Sequence, residues 1–162
     1  MTRLAALPAL ALLLVPLAAP AQDRAVMLER LPGPILFTPE RLVWGPAPAS
    51  LPEGAEIALI EGDLSKPEEH VFRIRIPDGW EIAPHSHPMR EHITVLKGTF
   101  MMGTGDTVDR DKAVPMPTGS VYVLPVGAHH YAWAEGETVP QPHGIGPWGI
   151  DYVNPEDDPR TQ

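Results

Sequence analysis

The chain has 162 residues, with 12 Lys and Arg against 21 Asp and Glu, no Cys, 21 Pro and 14 Gly, and a net charge of −9. The acidity argues against a nucleic-acid partner, which needs a basic stripe, and against docking on an anionic membrane. The lack of Cys excludes thiol nucleophiles, iron–sulfur clusters and thiolate zinc sites. Past residue 21, no stretch free of both Pro and Gly exceeds ten residues, which rules out a helical bundle.

Met1-Thr2-Arg3 is a short basic start, Leu4 to Ala18 is an apolar run, and Ala19-Pro20-Ala21 supplies small residues for a signal peptidase. Residues 1–21 therefore read as a signal peptide, and the mature chain as secreted or periplasmic. The apolar run is shorter than the ~20 residues a bilayer span needs, so no membrane partner is expected after cleavage. Residues 22–54 form a Pro-rich N-terminal arm, with helical turns expected at Ala25–Leu31 and an edge strand at Arg41–Trp44.

From Ala55 the pattern changes. Ile57–Ile60 is a short apolar run, and Val71–Ile76 alternates with Phe72, Ile74 and Ile76 on one face and Arg73 and Arg75 on the other, the signature of a half-buried strand. Pro77-Asp78-Gly79 is a turn. Glu91–Leu96 reads as a strand, Lys97-Gly98 as a turn and Thr99–Met102 as its return, followed by a polar loop or hairpin from Gly103 to Pro117. Ser120–Leu124, His129–Ala134 and Ile145–Val153 complete the strands, and residues 154–162 form an exposed tail. Short strands at this spacing predict an all-β barrel or sandwich over residues 55–153.

Three of the seven histidines, His85, His87 and His92, fall close together. In an extended chain residues 85, 87 and 91 share parity, so two imidazoles and the Glu91 carboxylate leave one face, while His92 points away. Two His and a carboxylate with open positions is a set that non-haem metal sites use, and a neighbouring strand can add a fourth ligand. His70, beside the charged 66–69 stretch, reads as solvated, and His143 as a loop histidine near the barrel mouth. Tyr122, Tyr131, Trp133 and Trp148 read as packing elements, and Arg73 and Arg75 as the wet side of a strand.

These residues carry a resemblance. Gly79, His85, His87, Glu91 and Gly98 are spaced as in the first motif of the cupin superfamily, and Gly119, Pro125, Gly127 and His130 as in the second. Ala134 stands where the second motif ends in Asn, which weakens the substrate analogy more than the metal one. The chain is further similar to small secreted bacterial cupins of the second type, through Glu61-Gly62-Asp63, Gly98-Thr99-Phe100 and the closing 146–155 segment. Part of that group is similar to the cupin domain of ChrR regulators, whose zinc-binding anti-sigma module needs Cys and so does not transfer.

The resemblance implies a double-stranded β-helix, or jelly-roll, barrel preceded by the Pro-rich arm. It implies one divalent transition metal (Fe, Mn, Ni, Zn or Cu) held by His85, His87, Glu91 and His130, with His130 rather than His129 selected by the motif spacing. Cupins often pair as homodimers by extending sheets, and Arg41–Trp44 is the candidate edge. The expected function is a metal-dependent, dioxygenase- or isomerase-like enzyme acting on a small organic molecule. The alternative is a non-catalytic periplasmic protein that binds or senses a metal or small ligand.

Overall fold

The computed structural model describes residues 36–162. The signal segment 1–21 and the expected helical turns at Ala25–Leu31 lie outside the described residues. Within them the chain is almost entirely strand: β1 (Gly45–Pro46), β2 (Glu56–Glu61), β3 (Glu69–Arg75), β4 (Glu81–Ser86), β5 (Glu91–Thr104), β6 (Val114–Pro117), β7 (Val121–Leu124), β8 (His130–Ile145) and β9 (Asp151–Tyr152). Only short 3-10 turns interrupt them.

One antiparallel sheet runs β1-β2-β3-β8-β4-β9, and β5 joins it by pairing with β8, β6 and β7. β8 is the spine. Its first residues pair with β4, its last with β3, and most of its length with β5. A sheet that shares long strands in this way curls on itself, giving the jelly-roll wall. The inward face carries Phe72, Ile74, Ile76, Val95, Phe100 and Met102, as the period-2 alternation requires.

Four readings of the sequence are corrected. The segment Arg41–Trp44 is not a strand: a 3-10 turn covers Pro39–Arg41, and only Gly45–Pro46 pairs, with β2. Lys97-Gly98 does not turn the chain back. β5 continues through it with a register irregularity between Val95 and Thr99, so the segment is a bulge in one long strand. Gly98 sits at φ 75 there, and a Cβ would collide with Thr138 Oγ1 and meet the Glu137 carbonyl at 2.5 Å; only glycine fits. The 103–117 hairpin forms as expected, β6 pairing with Thr99–Met102, but the stretch Ile145–Val153 is not one strand: β8 ends at Ile145 and only Asp151–Tyr152 pairs again, with β4. Finally, the strand opening near His129 runs on to Ile145, through Pro140 and Pro142. Those prolines are tolerated because β8 has β5 alone as partner over residues 139–142. Alternate N–H groups there face no strand, so a missing donor breaks no ladder bond.

Candidate metal centre

Three elements build the site. β4 carries His85 near its end. The chain then leaves the strand at His87 and bends at Pro88 and Met89 before Glu91 opens β5. His130 opens β8 directly opposite His85 in the β4–β8 ladder. His85, His87 and Glu91 thus converge as parity predicts, but they do not share one strand.

The four side chains are buried. Ring centroids are 4.1 Å apart for His85 and His130, 5.0 Å for His85 and His87, and 5.1 Å for His87 and His130. One ring nitrogen from each imidazole lies within 4.8 Å of the other two. Glu91 Oε2 is 3.2 Å from His87 Nε2.

The hydrogen bonds set how the imidazoles face inward. His85 Nδ1 lies 2.8 Å from the Ala83 carbonyl, His87 Nδ1 2.7 Å from that of Gly149, and His130 Nδ1 3.0 Å from that of Ala128. A carbonyl only accepts, so each Nδ1 donates its proton. With its Nδ1 proton so committed, each ring can turn an Nε2 lone pair to the centre when neutral, as His85 and His130 are; His87 Nε2 faces Glu91 Oε2 and must first give up its proton. Glu91 Oε1 accepts a bond from Trp148 Nε1 at 3.1 Å, whereas Oε2 is buried with no hydrogen bond.

The electrostatics agree with this arrangement. Burial pushes the His130 imidazole down to about 4, and burial with the neighbouring His130 and His87 holds His85 well below the usual range. Both rings are therefore neutral donors of lone pairs at neutral pH. Burial also pushes His87 down, but the Glu91 carboxylate outweighs it and leaves His87 above the ordinary imidazole range. Burial pushes Glu91 up, but His87, and then the Trp148 N–H, outweigh it and keep the carboxylate ionised. Three imidazoles and one carboxylate, without sulfur, suit a first-row divalent metal. Glu91 Oε2, 3.2 Å from His87 Nε2, is the charged donor nearest the three grouped imidazoles.

The imidazoles and Glu91 are backed by the segment between β8 and β9, which the sequence predicts as strand and in which Trp148 reads as a packing element. Trp148 bonds Glu91 and stacks on His87 at 6.0 Å and 30°. The adjacent Gly149 supplies the carbonyl that orients His87. The segment is itself pinned, by Gly146 N to Glu68 O at 2.8 Å and Trp148 N to Leu64 O at 2.7 Å. A signal was present in the sequence: Gly-Pro-Trp-Gly was one of the features of the resemblance.

Beside the site lies a small chamber of about 40 Å³, partly open to solvent, whose walls include Ile74, Ile76, Ile82, Phe100 and Met102. Leu51 of the N-terminal arm and Ala132, next but one to His130, line it too.

The other singled-out residues lie elsewhere. His129 is at the surface, 2.6 Å from Asp106. His92 and His143 are cross-strand partners that stack on each other at 5.1 Å, on the opposite sheet face from Glu91, so His143 is a strand residue and not a loop one. His70, expected to be solvated, is 1% exposed, on the inward face with Phe72. Tyr131 anchors the 103–117 segment through Asp109, and Trp133 packs under Arg110. Arg73 bonds Gln141 and Arg75 pairs with Glu56, leaving neither directed at the chamber.

A family model, the cupin domain, matches residues 72–140. No curated protein matches the sequence. Solved structures share the fold at low identity. The chain is similar to the polyketide cyclase RemF of Streptomyces resistomycificus, with a TM-score of 0.62 and 12% identity over 76% of this chain and 88% of that one. It is similar to an RmlC-like cupin of Shewanella frigidimarina, with a TM-score of 0.53 and 15% identity over 68% and 89%. It is also similar to a salicylate 1,2-dioxygenase of Pseudoaminobacter salicylatoxidans in complex with gentisate, with a TM-score of 0.50 and 17% identity over 62% of this chain and 27% of that one.

Proposed function

We propose that this chain, which belongs to the cupin superfamily, holds one divalent transition metal between His85, His87, Glu91 and His130 and acts as a mononuclear enzyme, dioxygenase- or isomerase-like, on a small organic molecule. The observation that carries the reading is the set of three carbonyl-locked imidazoles whose ring nitrogens lie within 4.8 Å of one another, with the buried Glu91 carboxylate 3.2 Å from one of them. When bound, the metal supplies Lewis-acid or redox chemistry. The protein's own part is to fix the ring tautomers, to hold Glu91 through Trp148, and to exclude bulk water with the apolar wall. Sharing a fold with a dioxygenase crystallised with gentisate supports an oxygen-handling reaction. In this reading residues 1–21 direct export, and the metal is acquired outside the cytoplasm.

The test is reconstitution with Fe(II), Mn(II) or Ni(II), followed by O₂ uptake and product analysis over a panel of small organic acids and enediols. Turnover that Glu91→Ala abolishes together with bound metal is expected. Turnover persisting in a metal-free Glu91→Ala protein overturns the proposal. The second reading, a binding or sensing protein without chemistry, is favoured by one observation: among the described side chains lining the chamber, no acid or base other than the four candidate ligands and Tyr122 is present. Ligand-dependent stabilisation without consumption supports it.

A further inference from the structure

Tyr122 lies on β7 opposite Ile93 and lines the chamber that His85, His87, Glu91 and His130 also line. Its ring stacks on Phe100 at 6.4 Å and 25°. Its hydroxyl is shut off from solvent and has no hydrogen-bond partner. Burial, and then the Glu91 carboxylate, push the phenol well above its ordinary range, so it keeps its proton. A buried hydroxyl without a partner costs folding free energy and calls for an explanation.

The other side-chain donors of the chamber are committed. Trp80 Nε1 bonds the Pro52 carbonyl and Trp148 Nε1 bonds Glu91, while each imidazole Nδ1 bonds a backbone carbonyl. Among the described chamber-lining side chains, the Tyr122 O–H is the one donor left for a ligand. No Lys or Arg lines the chamber. A divalent ion beside the Glu91 carboxylate therefore leaves one net positive charge for a ligand to neutralise. A polyhydroxylated ligand would set most of its hydroxyls against Ile74, Ile76, Ile82, Phe100 and Met102, where nothing bonds them.

We propose that the chamber takes an organic monoanion with an apolar body, one oxygen of which accepts a hydrogen bond from Tyr122. This deepens the metal-site reading and rests on it.

The test uses the full chain, wild type and Tyr122→Phe, loaded with Co(II) and titrated with benzoate or inorganic phosphate, followed by the visible absorption of Co(II). Both proteins take up Co(II) equally, because Tyr122 is not a ligand to the ion. Benzoate then binds the variant at least about tenfold more weakly, the loss of one charge-assisted hydrogen bond. Wild type binds phosphate at least about tenfold more weakly than benzoate, since a desolvated second charge has no partner. Equal benzoate affinity in the two proteins overturns the role of Tyr122. Phosphate binding as tightly as benzoate overturns the monoanion class, a comparison that needs no variant. The thermal midpoint of the metal-free variant stays at or above that of wild type; a fall of several degrees means that the hydroxyl is bonded within the fold, and overturns the proposal. A wild type that takes up no Co(II) refutes instead the metal reading beneath it.

Discussion

Trp148 and Glu91, 57 residues apart in sequence, are joined by a 3.1 Å hydrogen bond from the indole N–H to Oε1. The bond occupies one carboxylate oxygen with a group that cannot ligate a metal and leaves the other, Oε2, facing His87 Nε2 at 3.2 Å. Trp148→Phe keeps the stacking on His87 but removes the donor. We expect metal affinity to fall about tenfold or more, the usual cost of losing an outer-shell partner, with the fold intact. A chelator-competition titration measures it; unchanged affinity in the variant shows that the indole only packs.

The neighbouring histidines 129 and 130 give an internal control. His130 faces its partner His85 inside, and His129 pairs with Asp106 at the surface. His130→Ala should lose stoichiometric metal by elemental analysis and His129→Ala should retain it. Equal retention in both variants removes His130 from the ligand set.

Gly98 tests the bulge. Its φ of 75, and a backbone carbonyl 2.5 Å from where a Cβ would stand, leave no room for a side chain. Gly98→Ala is expected to cost about 2–4 kcal/mol through the left-handed backbone and the forced displacement of residues 137–138. Urea unfolding reads this directly. A loss below the cost of an ordinary surface substitution, about 0.5 kcal/mol, contradicts the tight approach of β5 and β8 at that point.

His70 provides the pH dependence. Its ring is buried, at 1% exposure, and burial holds its pKa below the ordinary value of 6.5, against a smaller upward pull from the Glu68 backbone. Glu91 and His143 are the ionisable side chains acting on it, the first raising and the second lowering it. Because the folded-state value is depressed, the unfolded chain takes up the proton first as pH falls. The stability is therefore whole above about 6.5 and is lost as pH drops toward the folded-state value. His85 and His130 add to the same trend. His70→Phe should lose less stability than wild type between pH 7.5 and pH 5 in metal-free denaturation. Equal losses in the two proteins mean that His70 is not held neutral in the fold.

The gathering of His85, His87, Glu91 and His130 at one buried spot was largely legible in the sequence because fixed intervals between Gly, His, Glu and Pro mark it. Those intervals selected His130 over His129, and the structure turns the two rings opposite ways. They did not show how His87 arrives: His87 lies just past the end of β4 and before a bend at Pro88 and Met89, and parity assumes a straight strand. His70 was misread because the acidic residues before it suggested a wet segment, although its parity with Phe72, Ile74 and Ile76 already placed it inward. The far half of β8 was missed because Pro140 and Pro142 read as breakers; only the local absence of a second partner strand makes them harmless. Trp148 was read as packing because its bond to Glu91 crosses the barrel, a contact no local pattern encodes.

X-ray absorption at the edge of a stoichiometrically bound metal, with zinc as the first probe, tests the central claim most directly. The proposed centre predicts one ion per chain with three imidazole nitrogens and a carboxylate oxygen at about 2.0–2.2 Å. Substoichiometric uptake, or a shell with fewer than three imidazoles, contradicts it.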